Sequence, residues 1–232
     1  MSSSHMKRLA MPRSWPLTRK TDIWISRPLP SGHSIDRCMA IGVVLRDVLG
    51  VAKSMREAKR ALATRRIKID GRVTTNMRRG VGIMDVLTVG DENYRCVLDN
   101  NGKLRYASIP AKEAGQKLCR IDGKNTIKGG VTQLNLHDGR NILVDDANKY
   151  NTMDSLLLDV ESQKIKKHLK FESGANCYLI GGSHVGSTAE MNEYVVKRSS
   201  KDNEVIFGDF GTIVDHVFVV GDAGLPLDEV NA

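Results

Sequence analysis

The chain has 232 residues, 35 of them Lys or Arg and 27 Asp or Glu, for a formal net charge of +8. Hydrophobic residues make up 41% and charged residues 27%, an ordinary globular composition that excludes a disordered chain. The longest apolar run, Cys38–Leu45, has eight residues, too short for a membrane span, and the N-terminus lacks the apolar core of a cleavable signal.

Four cysteines (Cys38, Cys96, Cys119 and Cys177) stand far apart, with no Cys-x-x-Cys pair and no histidine pair at zinc spacing. That argues against a zinc module and leaves four reduced core thiols as the expectation. No metal, cofactor or small-molecule substrate is expected.

The charge is graded along the chain. Residues 1–40 hold 7 basic and 2 acidic groups, residues 41–90 hold 11 and 4, residues 91–172 hold 14 and 12, and residues 173–232 hold 3 and 9. The first 90 residues therefore carry +12 and the last segment −6. A folded segment that basic points to a polyanion, nucleic acid above all.

Residues 1–34 read as an irregular arm, because Pro12, Pro16, Pro28 and Pro30 interrupt any helix. The arm mixes Lys7, Arg8, Arg13, Arg19, Lys20 and Arg27 with both tryptophans, Trp15 and Trp24. Cations and flat rings suit phosphate pairing and base stacking. The competing expectation is that the two indoles only anchor the arm to the body. Residues 1–4 resemble a remnant of cloning.

Ile35–Leu49 reads as a buried helix stopped at Gly50. Ser54-Met55-Arg56-Glu57 is a capping box that opens a second helix, to about Thr64. Met55, Ala58, Ala61 and Leu62 share one side of it, and Arg56, Lys59 and Arg60 the other. Arg65 and Arg66 continue the charge. Ile67–Val73 alternates around Asp70-Gly71, which predicts a hairpin carrying Lys68 and Arg72. Arg78-Arg79-Gly80 is a basic loop, and Ile83–Val89 a closing strand.

From Tyr94 the pattern is β-rich. A hairpin is expected around residues 99–102, a short helix over Ala111–Leu118, and strands at 117–121, 131–136, 140–144 and 155–160. Asp122-Gly123, Gly129-Gly130 and Asp138-Gly139 read as turns, and residues 164–171 fit strand or helix. Beyond Gly174, five short strands with glycine corners predict a small barrel, followed by an acidic tail over 221–232.

The block from Ser54 through Ile67–Val73 to Asp85–Val89 resembles the S-four RNA-binding module, a helix pair with a small bent sheet. The flanks narrow the resemblance. Lys7-Arg8-Leu9-Ala10-Met11-Pro12-Arg13-Ser14-Trp15, Lys117-Leu118-Cys119-Arg120, His137-Asp138-Gly139-Arg140 and Phe218-Val219-Val220-Gly221 occur in the order of the S-four-e family of archaeal and eukaryotic small-subunit ribosomal proteins. Gly174–Ser200 is similar to the KOW motif of that family. Two departures stand out: Gly186-Ser187 replaces a Gly-Arg pair, and the end of the chain is acidic rather than basic.

The resemblance implies an α+β, multi-module fold. Its parts would be a basic arm (1–34), an S-four-like module (35–90), a β-rich central domain (91–172), a KOW-containing small β-barrel (173–225) and a tail (226–232). It also implies a structural, non-enzymatic constituent of the cytoplasmic small ribosomal subunit. The expected partners are small-subunit rRNA and neighbouring ribosomal proteins, with a monomer off the ribosome. The RNA-binding candidates are Lys7, Arg8, Arg13, Trp15, Arg19, Lys20, Arg56, Lys59, Arg60, Arg65, Arg66, Lys68, Arg72, Arg78 and Arg79. Two rivals remain open here: an RNA-modifying enzyme, which lacks any catalytic motif in the 142 residues after position 90, and a free translation or transcription factor.

Overall fold

A computed structural model of the chain describes residues 5–221, 225–227 and 230. It is β-rich with few helices. The arm opens with a ribbon of β1 (Met6–Lys7) and β2 (Trp24–Ile25), paired antiparallel. β3 (Cys38–Ala40) leads into α1 (Ile41–Val43), which continues as a π-type turn over Val44–Val48 and stops at Gly50 in the left-handed region (φ 66°).

Ile35–Leu49 is therefore not one helix. Cys38, Met39 and Ala40 pair with Gly82, Val81 and Gly80 of β6 (Gly80–Gly82), and this long-range ladder overrides the local helical pattern. α2 (Met55–Ala63) follows as expected. Next come β4 (Ile67–Ile69), β5 (Arg72–Val73), β7 (Val86–Val89), β8 (Glu92–Leu98) and β9 (Leu104–Ser108), which form one sheet in the order β5-β4-β7-β8-β9.

α3 is only Ala111–Ala114, because β10 (Gln116–Thr126) already begins at Gln116. β10 runs straight through Asp122-Gly123. The expected turn there is a bulge, where the register to β11 (Thr132–Leu136) shifts between Ile121 and Gly123. With β12 (Asn141–Val144), β13 (Ser155–Asp159) and β14 (Ile165–Leu169) it forms a second sheet, ordered β12-β11-β10-β13-β14. Residues 165–169 are thus strand.

Among the described residues, the C-terminal part has six short strands rather than five. β15 (Asn176–Leu179), β16 (Thr188–Glu190) and β20 (Val217–Val219) form one three-stranded sheet; β17 (Glu193–Val195), β18 (Glu204–Phe207) and β19 (Phe210–Ile213) form another. Most of the predicted tail lies outside the described residues; Leu225 and Leu227 pack against the main core.

Among the described residues, three apolar clusters form the core, and single strands serve two of them. Leu118 of β10 faces the first cluster, while Cys119 and Ile121 face the second. Tyr178 of β15 and Phe218 of β20 reach into the first cluster, whereas Cys177, Leu179, Val217 and Val219 fill the third. All four cysteines are buried, and burial pushes the Cys38 thiol up to about 11 and that of Cys177 to about 12. The Tyr178 hydroxyl accepts from the Leu98 N–H and donates to the Leu98 carbonyl, both at 2.8 Å, so the C-terminal sheet is bolted to β8.

Candidate RNA-binding surface

α2 begins where the sequence places it. The Ser54 hydroxyl accepts from the Glu57 N–H at 3.3 Å, satisfying one free amide of the first turn, and the Glu57 carboxylate accepts from the Lys53 N–H, just ahead of the cap, at 2.8 Å. Ala58 and Leu62 are buried, so Arg56, Lys59 and Arg60 point to water. Arg65, at φ 60°, ends the helix, and Arg65 and Arg66 stay exposed. Ile67 and Ile69 turn inward, leaving Lys68 outside. Asp70 and Gly71 both have positive φ (48° and 71°), the geometry of a tight hairpin turn, which sets Arg72 on β5.

Among the described residues, Arg56, Lys59, Arg60, Arg65, Arg66, Lys68, Arg72 and Arg79 are all exposed, and none pairs with a carboxylate. Lys7, Arg13 and Lys20 are exposed on the arm as well. Arg78 differs: it is half-buried, and its Nε donates to the Arg27 carbonyl at 3.0 Å. Arg19, also half-buried, donates to the Leu9 carbonyl at 3.0 Å.

Two candidates have other duties. Arg8 is 5% exposed; its Nε donates to the Thr18 carbonyl at 2.6 Å and its Nη1 reaches Asp22 at 3.2 Å. Trp15 is 1% exposed, packs in the main core and donates its indole N–H to the Cys38 carbonyl at 2.9 Å. A ring so enclosed has no face to offer a base, so Trp15 anchors the arm, and Arg8 braces the arm on itself.

Sequence reasoning missed the group beneath this surface. Lys117 on β10 is 0% exposed, and its ammonium meets Asp85 at 2.5 Å, Asp70 at 2.7 Å and Asp138 at 2.8 Å. Arg140 joins Asp70 at 2.6 Å and Asp138 at 3.2 Å, and the His33 Nε2 lies 2.9 Å from Asp85. Asp70 and Asp138, read from the sequence as turn residues only, thus clamp the β4–β5 hairpin to the second sheet. The sole signal was a lysine beside apolar Leu118 and Cys119 in a strand.

Electrostatics inside this group are unequal. Burial, and then the charge of Asp85, raise Asp70. Burial also pushes Asp138 up, but Lys117, His137 and Arg140 outweigh it and hold it at about 2. Asp85 lies below the usual carboxylate range, since Lys117, His33 and the Gly82 N–H offset its burial. Burial, then the Lys117 ammonium, lower His137 to about 3.

Close backbone approach makes the clamp possible. A Cβ on Gly32 would lie 1.6 Å from the Asp138 carbonyl oxygen, and one on Gly82 would lie 2.3 Å from the His33 ring. Above the clamp opens a cleft of about 530 Å³, which brings Arg72 and Arg79 of the predicted set together with Arg140, Thr74 and Asn76. Among the described residues no cluster of His, Cys, Asp and Glu could hold a metal ion, and no helix is long and apolar enough to cross a membrane.

This geometry can be set beside known proteins. The profile of Ribosomal family S4e matches residues 90–165, and that of the RS4NT (NUC023) domain matches residues 2–36. Small ribosomal subunit protein eS4 of Methanocella arvoryzae is 39% identical over 227 residues, 95% of each chain. The chain belongs to the S4e family. Another S4e relative, eS4 of Methanocaldococcus jannaschii, is 40% identical over 235 residues, 94% of each chain. The crystal structure of the 30S ribosomal protein S4e from Thermoplasma acidophilum superposes with a TM-score of 0.72 at 32% identity, covering 81% of this chain and 97% of that one. The RS4NT match spans the arm, including residues read as a cloning remnant; the S4e match spans β8 to β13 and so contains Lys117, Asp138 and Arg140.

Proposed function

We propose that this S4e-family chain is a structural constituent of the small ribosomal subunit, in the cytoplasm, that binds and stabilises folded rRNA. One observation carries the reading: eight exposed cations over residues 56–79 have no carboxylate partner among the described residues, while the buried Lys117 and half-buried Arg140 are neutralised internally. Unpaired surface cations release counterions on meeting phosphates, and structured RNA is read mostly through backbone and shape.

In the finer reading, residues 35–90 act as the S-four-like module and residues 173–225 as a KOW-type barrel. The −6 of the C-terminal segment turns that barrel toward basic neighbouring ribosomal proteins or solvent. Off the ribosome the chain is a monomer. The family is structural rather than enzymatic, and the modifying-enzyme reading is not favoured.

The test is filter binding of the full chain to a small-subunit rRNA transcript across a salt series. If about six of the cations meet phosphates, log affinity falls with log salt at a slope of about −4 to −5. A flat response, or full affinity in a Lys59→Glu/Arg60→Glu variant, refutes it. Co-sedimentation with small subunits at physiological salt is the second check; a protein that stays in the soluble fraction is not a subunit constituent.

A further inference from the structure

The N-terminal ribbon holds one aromatic ring out to solvent. Its register pairs Met6 with Ile25 and Lys7 with Trp24. Alternation turns Met6 and Ile25 into the main core and leaves Lys7 and Trp24 outside, side by side on one face. Trp24 is 58% exposed, the opposite of Trp15. Met6 and Ile25 pin the ribbon to the main core, and the ribbon is braced on itself, because the Arg8 N–H donates to the Ile23 carbonyl at 3.0 Å and the Arg8 side chain holds Thr18 and Asp22.

Trp24 touches the His5 ring at 5.8 Å between centroids, tilted by 59°. Beside it opens a cleft of about 970 Å³ whose walls include Ile23, Arg46, Asp47 and Lys53. The charges there divide cleanly. Arg46 is bound to Asp47 by two hydrogen bonds at 2.8 and 2.9 Å, and Arg8 is paired with Asp22. Lys53 and Lys7 are exposed and have no carboxylate partner among the described residues.

A half-exposed indole on a braced ribbon, with Lys7 opposite it in the ladder and Lys53 lining the same cleft, combines what an unpaired nucleotide requires: a flat face for the base and charge for its phosphates. Rigidity matters, because a ring already held in place loses little entropy on stacking. We propose that Trp24 is a stacking platform for one unpaired nucleotide of RNA, with Lys7 and Lys53 taking the flanking phosphates. The proposal rests on the RNA-binding reading above. Leu9 and Ile23, both exposed nearby, are the features that would suit a protein partner instead, and the test separates the two.

The full chain is titrated with a twelve-nucleotide adenosine RNA and with the small-subunit rRNA transcript, following tryptophan fluorescence and affinity. Trp15 is enclosed, so quenching should come from Trp24 and vanish in Trp24→Phe. Trp24→Ala should weaken binding about 5- to 150-fold, the range for losing one stacked base, with an unchanged salt slope, and Trp24→Phe should restore most of it. Quenching absent from the wild type, or Trp24→Ala with full affinity, overturns the platform while Lys59→Glu/Arg60→Glu still reports on RNA binding. If Trp24→Ala binds RNA normally but fails to enter small subunits, the ring is a protein contact and the proposal falls. A wild-type chain that binds neither RNA overturns both readings together.

Discussion

Lys117→Met is the sharpest perturbation of this fold. Methionine keeps the length of the stem, so little cavity forms and the change is chiefly electrostatic. The ammonium lost is the one that Asp70, Asp85 and Asp138 share at 2.5–2.8 Å, and all three carboxylates are buried. The Arg140 guanidinium is then the one Lys or Arg cation among the described residues still paired with this group, beside hydrogen bonds from the Gly82 and Val86 N–H groups. Removing one partner of a buried pair costs about 3–5 kcal/mol, and one cation serving three carboxylates belongs at the upper end. For a chain of this size each kcal/mol lowers Tm by about 2–4 °C, so the expected drop is about 10–20 °C at pH 7. Scanning calorimetry measures it. A drop below about 2 °C would refute the reasoning that this ammonium holds the hairpin to the second sheet.

The same network has a pH signature with a definite sign. Asp138, held at about 2, and Asp85, held lower still, ionise more readily folded than unfolded, where an aspartate titrates near about 3.9. Their contribution is present above about pH 4 and lost as pH falls through about 2. Asp70 is raised and works the other way, contributing below about pH 4 and losing that contribution as pH rises through its folded value. The wild type should therefore lose stability between about pH 4 and 2, and Lys117→Met should lose less over the same window, because its carboxylates are no longer held down. Lys117 itself is raised well above the ordinary lysine value, since its carboxylates outweigh its burial. Its contribution therefore persists through neutral pH and fades only in strong alkali.

Trp15→Phe removes the indole bond to the Cys38 carbonyl and part of the ring's packing, costing about 1–3 kcal/mol by urea denaturation. Gly32→Ala places a Cβ 1.6 Å from the Asp138 carbonyl oxygen and must move backbone, so it should cost at least the about 1–3 kcal/mol of ordinary overpacking. Gly115→Ala, with open space around its Cβ, is the matched control and should change stability by less than about 0.5 kcal/mol. Lys59→Ala should likewise leave stability within about 0.5 kcal/mol while reducing the salt slope of rRNA binding by about 0.7–0.9, a split that a structural role for Lys59 would not produce.

Local signals were legible because their physics is local. The Ser54–Glu57 cap, the amphipathic α2 and the Asp70-Gly71 turn each depend on residues a few positions apart, and each is found where the pattern places it. Predictions went astray where a distant segment intervened. Cys38–Ala40 left the expected helix because β6 offered a ladder, and Asp122-Gly123 bulged rather than turned because β11 extends the pairing past it. Likewise, the pattern marked Trp15 and Trp24 as equals; one became a core anchor and the other a surface ring.

The net charge of +8, its concentration as +12 in the first 90 residues and the polarity of α2 were determined by the sequence alone, since charge and periodicity are properties of the chain. Which cations are free was decided only by the tertiary structure. Lys117 and Arg140 look like any other basic residues until folding brings Asp70 to both of them, and Asp85 to Lys117, from far along the chain. A buried charge must find an opposite one, whereas a charge on an exposed helix face or hairpin stays in water and available to a phosphate.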